Sequence, residues 1–536
     1  MKIAIVGGGS AGWIAASYLS RYKHLDITII ESPKVPTIGV GESVTIHVPR
    51  LLRELGLDEH DMMRETGSVY KFGNNFVGWK GGNEQSLFPF RWNVPMKEIR
   101  RVMDASSSNE DAFSRLQKLH SFKIESYLQA NPNAPRFTDY WLTLHKQNKI
   151  NPDFGVSYSA YDCFSKSRIT PYVNNQLLFK STGLQHSFHI NAEKFGDYIR
   201  DKFALLNGVT HIKRHIRDVV TSGDNIEKLV FEDGTDHTAD LFIDCSGFGR
   251  VLINKQNRKW KHYNLSPGDT AIVCQVNYED PSKEINNHTL SIAQNQGWAF
   301  DISLYHRKGT GYIFSSDLCN EDEVMQEYSK KFLKNARMEP RKLKWDKKRL
   351  YESAKGNTVA IGMSNGFIEP MEANLFAIII NGVKSLEHEL RKPVDVNTIN
   401  WDAFNQKISN TYDDIHDFIL THYTLSPRPG AFWDEMRSIG RQENHQELIR
   451  QKYLDERNSF AGAVRSDSLF PDYMWLHLAI DWGLDITDWP IHNNLNVDDI
   501  NFVNEYINRM ETLTQESCSS FPNNYEFLKE TIFHGR

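Results

Sequence analysis

Two residues far apart in the chain carry side chains that could do chemistry together, Lys80 and Glu372. Lys80 ends an F-x-x-W-K run that starts at Phe76, and its amine could hold or polarise an electrophile. Glu372 ends the run G-F-I-E-P-M-E over residues 366–372, and its carboxylate could accept a proton. Each also has a structural interpretation: a solvated lysine in a polar K-G-G loop, and an acid at a helix N-terminus, which is worth roughly 0.3–1 kcal/mol. Glu369 fits a structural cap better than a catalytic role.

A nucleotide-binding fingerprint opens the chain. A strand is predicted over 2–6, a G-x-G-x-x-G turn follows, a helix is predicted over 13–22, and a second strand over 26–30 leads to an acid. Glycines allow a tight turn and close approach of a pyrophosphate, while the acid binds ribose hydroxyls. The residues predicted to bind the cofactor here are Gly7, Gly9, Ser10, Ala11, Gly12 and Glu31.

Later segments of the chain are also predicted to contact this cofactor. The glycine-punctuated loop 36–43 excludes a regular helix, and a buried strand over 239–244 delivers an acid and then a glycine to a loop. A short buried strand over 357–362 precedes an apolar helix from about 374 to 390. These segments add four predicted cofactor-binding residues: Gly39, Val40, Glu42 and Asp244.

The patterns predict an α/β protein with a Rossmann-type cofactor domain, an inserted β-sheet substrate domain and a helical C-terminal cap. Residues 268–316 alternate apolar and polar side chains with a period of two, which predicts strands. We therefore expect a core over 1–390, with inserted elements at about 85–180 and 268–345, and a cap over 391–536.

Composition restricts the function further. The chain has 536 residues and a formal net charge of −6, which argues against binding a phosphate backbone. No apolar run reaches the ~18–20 residues of a membrane span. The five cysteines are scattered and never spaced C-x-x-C, so neither disulfides nor a metal site is expected. Because the first strand begins at Lys2, a cleaved leader would remove the phosphate-binding turn, and we expect a cytoplasmic protein.

Three motifs together resemble the tryptophan-halogenase family of flavin-dependent halogenases. They are the F-x-x-W-K run, the segment G-W-A-F-D-I-S-L over 297–304, and the segment over 366–372, which is close to the family's G-F-v-E-P-L-E. The second segment departs from the family's G-W-x-W-x-I-P-L at Phe300 and Ser303. The resemblance covers residues 1 to about 390 and implies an FAD-binding domain of the flavin monooxygenase type.

The resemblance also implies a reaction. Reduced FAD and O2 oxidise a halide ion to hypohalous acid, which moves through an internal passage to the active-site lysine, here expected to be Lys80. The lysine presents the electrophilic halogen to an aromatic ring, and Glu372 accepts the ring proton. By the same resemblance Met363 and Phe376 lie against the flavin, while Trp298 and Phe300 keep the substrate away from it.

The halide site departs from the family. Where relatives have Ser-Thr-Gly after the glutamate, this chain has alanine, Asn374 and Leu375, which are the halide-site residues expected here. Backbone N–H groups at a helix start can bind a halide without a particular side chain. We expect the altered pocket to shift the preference toward bromide or iodide.

The sequence also bears on the source of reduced flavin, on the substrate and on alternative functions. A single dinucleotide fingerprint leaves no second site for NAD(P)H, so a separate flavin reductase should supply FADH2 by transient transfer. No clamp for free tryptophan is recognisable over 400–480, so a simpler indole, a phenol or another activated aromatic is as good a candidate substrate as free tryptophan. A homo-oligomer is possible. The alternatives are a single-component FAD-dependent aromatic hydroxylase and a non-catalytic flavin-binding protein.

Overall fold

The computed structural model describes residues 1–35, 39–89, 137–149, 172–173, 176–177, 186–459, 469–470, 472–489, 495–505, 508 and 522–534. Much of the predicted insertion at about 85–180 and parts of the predicted cap lie outside these residues. Within them, no helix is long and apolar enough to cross a membrane. The same residues contain no group of three or more His, Cys, Asp or Glu that could hold a metal ion.

A six-stranded sheet contains the first two strands of the chain. Its first five strands pair in parallel and only the last pair is antiparallel. The central strand Lys2–Val6 is buried over its last four residues, as expected for a strand covered on both faces. In spatial order the strands are Thr210–Lys213, Asp26–Glu31, Lys2–Val6, Leu241–Asp244, Thr358–Ala360 and Ala354–Lys355.

A seven-stranded sheet forms the second layer and confirms strands within 268–316. It also takes in the hairpin of Gly73–Val77 and Gln85–Pro89, whose first strand pairs in parallel with Thr289–Gln294. All its other neighbours pair antiparallel. In spatial order its strands are Arg341–Lys344, Thr270–Val276, Lys308–Phe314, Gly297–Ser303, Thr289–Gln294, Gly73–Val77 and Gln85–Pro89.

Smaller sheets connect these two layers. One of them holds Glu42–Ser43 and Val69–Lys71 on either side of Ser187–Ile190, so it joins the glycine loop to the start of the hairpin. The others contain Ile216–Ser222, Asn225–Phe231 and Asp236–His237; Trp260–His262, Lys348–Leu350 and Gly366–Phe367; and Tyr172–Val173 with Gln176–Leu177.

The helices surround the sheets. Five of the described α-helices begin with the side-chain caps typical of helix starts, which are Asp58, Asn191, Asp280, Asn320 and Asn523. The α-helices are Ser10–Leu19, His47–Leu55, Glu59–Thr66, Phe137–Lys146, Ala192–Ile199, Pro281–Glu284, Glu321–Phe332, Asn374–Leu390, Asp402–Leu425, Ala431–Gln442, His445–Ser459, Asp472–Asp481 and Asn524–Phe527. The helical pattern predicted after residue 400 is therefore present in the described residues, and the apolar helix from 374 to 390 is found with those bounds.

Candidate active site

The turn after the first strand has the close contacts that a dinucleotide requires. A Cβ on Gly7, whose φ is +121°, would lie 2.4 Å from the carbonyl oxygen of Cys245, and one on Gly12 would lie 1.9 Å from that of Gly7. Both positions therefore need glycine. A Cβ on Gly9 would meet nothing within 4 Å, and the helix Ser10–Leu19 begins without a capping side chain. An open helix start with N–H groups that no side chain caps fits the pyrophosphate of FAD.

Two further residues that were predicted to bind the cofactor, Glu31 and Ser10, lie beside this glycine turn. Glu31 ends its strand, and its Oε2 lies 2.8 Å from Nε2 of His211. A Cβ on Gly8 would lie 2.3 Å from Cδ of Glu31, so this side chain lies over the glycine turn. The hydroxyl of Ser10 donates to the carbonyl of Ala192 at 2.7 Å and ties the first helix to the one that follows Asn191.

Asp244 positions a loop. Its Oδ1 accepts hydrogen bonds from the N–H and hydroxyl of Ser246, and its Oδ2 accepts from the N–H groups of Leu252 and Ile253 at 2.9 and 3.1 Å. Burial raises the pKa of this carboxyl, and these donors counteract that effect. Since both oxygens serve the chain's own backbone, Asp244 shapes the loop beside Gly7 and offers no uncommitted oxygen to a cofactor.

The glycine loop is held from the second sheet. Gln275 donates to the carbonyl of Gly39 at 2.7 Å, and the Arg307 guanidinium donates to the carbonyls of Gly39 and Val40. A Cβ on Gly309 would lie 2.3 Å from the Val40 oxygen, so this close approach also depends on glycine. Burial raises the pKa of Glu42, the next acid in the loop, to about 7.

The residues expected against the isoalloxazine lie near the first helix. Met363 stands in the turn after Ile361, where a Cβ on Gly362 would lie 3.5 Å from Cβ of Ala11. A Cβ on Gly247 would be 3.5 Å from Cε of Met363, so this turn also meets the loop after Asp244. Phe376 is buried, and its ring centroid lies 5.8 Å from that of Phe195.

The aromatic segment is anchored by Glu369. Trp298 is buried and donates from Nε1 to Oε1 of Glu369 at 2.8 Å, while the hydroxyl of Tyr423 donates to the same oxygen. Phe300 is also buried, and its ring centroid lies 6.3 Å from that of Trp298. Glu369 thus joins the second sheet to the long C-terminal helix, which corrects the expectation of a helix cap. Ser303, the position at which the chain departs from the expected motif, accepts from the N–H of Asn286 at 3.0 Å.

Glu372 has a strained backbone and a buried side chain. It adopts φ 63° and ψ 9°, and Ala373 adopts φ 57°, a left-handed pair of non-glycine residues that costs on the order of 1–3 kcal/mol each. Such strain is typical of functional sites. Asn74 donates to Oε2 of Glu372, and Nε2 of His422 lies 3.1 Å from Oε1. Both oxygens therefore have a defined neighbour.

The residues after this strained pair begin a long helix. The helix Asn374–Leu390 follows Ala373, which provides no side-chain cap. Asn374 is buried and donates to the carbonyl of Met371 at 3.0 Å, and Leu375 is partly buried beside it. The first N–H groups of this helix are therefore left without a capping side chain, as an anion site requires.

A lysine that the sequence analysis passed over is buried within the electrostatic influence of Glu372. Lys71 ends the strand Val69–Lys71, is completely buried, and donates to the carbonyl of Val44 at 3.3 Å. Burial lowers its pKa from 10.5 to about 7, and the Glu372 carboxylate counteracts this shift. The sequence contained a signal, because a lysine inside the apolar run V-Y-K-F is unusual unless it has a partner.

Lys80 lies near a carboxylate other than the expected Glu372. It follows Trp79 in the turn of the hairpin and is partly exposed, with Nζ 4.0 Å from Oδ1 of Asp481. Trp79 itself is buried and donates to the carbonyl of Ser291 at 2.8 Å. Phe76 and Trp79 of the F-x-x-W run are therefore buried, while Lys80 lies near a different carboxylate, that of Asp481.

Comparisons with known proteins identify the family of the chain. The sequence profile described as tryptophan halogenase matches residues 2–489. The tryptophan 7-halogenase RebH of Lentzea aerocolonigenes is 29% identical over 84% of this chain and 81% of its own length. The tryptophan 6-halogenase ThaL of Streptomyces albogriseolus is 27% identical over 80% of this chain and 78% of its own length.

Solved structures of halogenases have the same fold as this chain. The tryptophan halogenase of Shewanella frigidimarina has a TM-score of 0.80, with 25% identity over 99% of this chain and 97% of that one. BrvH, a flavin-dependent halogenase from Brevundimonas sp. BAL3, has a TM-score of 0.77 and 24% sequence identity. The match covers 98% of this chain and 99% of BrvH. The chain belongs to the tryptophan halogenase family and is thus one of the flavin-dependent halogenases, which are oxidoreductases.

Proposed function

We propose that this enzyme is an FADH2-dependent halogenase that oxidises a halide with O2 and halogenates an electron-rich aromatic substrate of the indole or phenol type. The observation that most supports it is the buried amine of Lys71, whose pKa burial lowers to about 7, within the electrostatic influence of Glu372, a buried carboxylate that Asn74 and His422 hold in place. FAD, when bound, would supply the reducing equivalents that let O2 oxidise halide to hypohalous acid.

Lys71 takes the role that the sequence analysis gave to Lys80. Near pH 7 its amine is partly neutral, so it can accept the halogen from hypohalous acid with release of water, or hydrogen-bond the intact acid. Glu372 accepts the proton that the ring loses when aromaticity returns. Asn74, which lies three residues after Lys71, donates to the carboxylate and orients it.

The cofactor residues form a second part of the proposal. The glycine turn and the start of helix Ser10–Leu19 hold the pyrophosphate, Glu31 binds the ribose, and Met363 and Phe376 border the isoalloxazine. Val40 and its neighbours form a loop between this region and the second sheet. A separate flavin reductase delivers FADH2, since the sequence holds one dinucleotide fingerprint.

The halide binds at the start of the helix Asn374–Leu390, on N–H groups that no side chain caps. Because Ala373 lacks the hydroxyl of the family's serine, we expect bromide or iodide to be preferred over chloride. Competition with equimolar halides and mass spectrometry of the products measures this. Equal or better incorporation of chloride would contradict it.

The function is tested by incubating the enzyme with FAD, a flavin reductase, NADH, mixed halides and a panel of indoles and phenols that includes free tryptophan. We expect halogenated products that depend on the reductase and on halide. Hydroxylated products, or reduction of bound flavin by NADPH without a reductase, would support a single-component hydroxylase instead. Flavin binding without any product over the panel would favour a non-catalytic protein.

A further inference from the structure

The glycine loop carries a carboxylate that no described group binds. Glu42 begins the short strand Glu42–Ser43, and its carboxylate accepts no hydrogen bond and forms no ion pair among the described residues. Part of the side chain is accessible. Burial nevertheless raises its pKa to about 7, which an acid on the outer surface would not show. The carboxylate therefore faces a recess inside the protein.

The strand pairing determines the direction of this side chain. Glu42 pairs with Ile190, and the next residue pairs with His189. Because successive side chains alternate between the two faces of a sheet, Glu42 and Ile190 share one face, while Ser43 and His189 share the other. On that other face, Oγ of Ser43 and Nε2 of His189 lie 2.7 and 2.9 Å from Oγ1 of Thr289, in the second sheet. Glu42 therefore points away from the second sheet.

The face on which this carboxylate lies leads to the proposed cofactor site. The strand that pairs with the loop is followed by the helix Ala192–Ile199, whose Phe195 packs on Phe376 with ring centroids 5.8 Å apart. A Cβ on Gly196 of the same helix would lie 3.6 Å from the backbone nitrogen of Ser10, at the helix start proposed to hold the pyrophosphate. The recess is therefore bordered by elements that carry the proposed cofactor residues.

Several ionisable groups lie on the elements around the loop. They are His47 and Arg50 of the helix that follows it, His189, Glu193 and Lys194 of the strand and helix beside it, and Arg307 and Lys308 at the edge of the second sheet. None of them measurably shifts the pKa of Glu42, whose rise is due to burial. Burial also lowers the pKa values of His47 and His189, that of His47 to about 3, so both are uncharged near neutrality. An ionised Glu42 thus has no counter-charge among the described residues.

We propose that Glu42 binds FAD as a protonated acid that donates a hydrogen bond to the cofactor, so that FAD binding takes up a proton. This inference rests on the proposed cofactor site. The pyrophosphate of FAD is negatively charged, and a bound cofactor displaces water from the carboxyl. Both effects favour the neutral form of a carboxylic acid. Only that form has an O–H to donate, and the flavin ring offers carbonyl oxygens that accept.

The test counts protons and needs no halogenation. Flavin-free enzyme is titrated calorimetrically with oxidised FAD at pH 7.5 in HEPES and in Tris, whose ionisation enthalpies differ, and the difference in heat gives the protons exchanged. Most of a group with a pKa of about 7 is ionised at this pH, so we expect uptake of roughly 0.7 proton per FAD. The dissociation constant of FAD should also rise about tenfold or more from pH 7 to pH 9.

Two variants assign the proton. Glu42→Gln keeps the shape of the acid and a donor group but cannot titrate, so it should bind FAD without proton uptake and with little change in affinity up to pH 9. Glu193→Gln is the matched control, because it removes another acid that faces the same loop near Gly39. It should retain the proton uptake of the native enzyme.

The outcomes separate this inference from the proposed function. FAD binding without proton uptake in the native enzyme, or uptake that persists in Glu42→Gln, overturns the inference and leaves the halogenase proposal standing. Loss of FAD binding in Glu42→Gln also overturns it, because the amide retains a donor. Proton uptake in an enzyme that yields no halogenated product supports the role of Glu42 and contradicts the proposed function. Absence of FAD binding by the native enzyme contradicts both.

Discussion

Replacing Lys71 by methionine should stabilise the fold while it abolishes halogenation. In the unfolded chain the amine has a pKa of 10.5, and burial lowers it to about 7 in the folded protein. Folding at pH 7 therefore requires loss of a proton or burial of a charge, at a cost of roughly 4 kcal/mol. Methionine has a similar length and no charge, so it removes this cost, although it also removes the hydrogen bond to Val44 and the attraction of Glu372.

The sign and the pH range of this effect are fixed by the direction of the shift. Because the folded pKa lies below the unfolded one, the penalty is absent above about pH 10.5, grows as the pH falls, and is complete below pH 7. At pH 9.5 it has fallen to roughly 1.5 kcal/mol. We therefore expect Lys71→Met to be more stable than the native enzyme by about 2–4 kcal/mol at pH 7, and by a smaller margin at pH 9.5.

Equilibrium urea unfolding of both proteins at the two pH values measures these margins, with Lys80→Met as the matched control. Lys80 is partly exposed in a hairpin turn, so its replacement should change stability little at either pH. A destabilised Lys71→Met protein, or a margin that is the same at pH 7 and pH 9.5, would refute the reasoning.

Three further predictions concern activity and cofactor binding. The rate of halogenation in a single turnover should rise about fivefold from pH 6 to pH 7 and less than twofold from pH 7 to pH 8, because it follows the neutral fraction of Lys71; a flat profile would argue against an amine acceptor. Glu372→Gln should slow product formation by about 10²–10⁴-fold with FAD affinity unchanged, and equal loss of both in a flavin-binding titration would make the residue structural. Gly12→Ala should purify without flavin, since its Cβ would lie 1.9 Å from the Gly7 oxygen; normal FAD content would contradict the tight turn.

Much of the fold could be predicted from the sequence because local patterns specify it. The glycine turn and its flanking strand and helix follow from residue types that few other structures tolerate. The period of two over 268–316 predicted strands that the second sheet contains, and the apolar helix after Ala373 has the predicted bounds. Sequence alone did not predict that the hairpin around Phe76 joins this sheet, because its pairing with Thr289–Gln294 spans more than two hundred residues.

The site was harder to predict, since the side chains that matter meet through tertiary contacts. Glu372 could be identified from its motif, but its neighbours Asn74 and His422 come from a distant hairpin and a distant helix. The motif next to Trp79 directed attention to Lys80, although the strand before it carries the buried lysine. A charged side chain in an apolar run was the better indicator. Burying an ammonium group is costly, so a buried lysine is expected only where a partner stabilises it or a function requires it.

The most direct test is a single turnover that counts oxidised halide and halogenated arene separately in Lys71→Met and Lys80→Met. Reduced FAD, O2 and bromide are supplied with substrate, and a thiol scavenger outside the protein reports hypohalous acid that escapes. The account predicts that Lys71→Met still oxidises bromide but loses at least about 100-fold of its arene product, while Lys80→Met retains both. Full product from Lys71→Met, or its loss only in Lys80→Met, would contradict it.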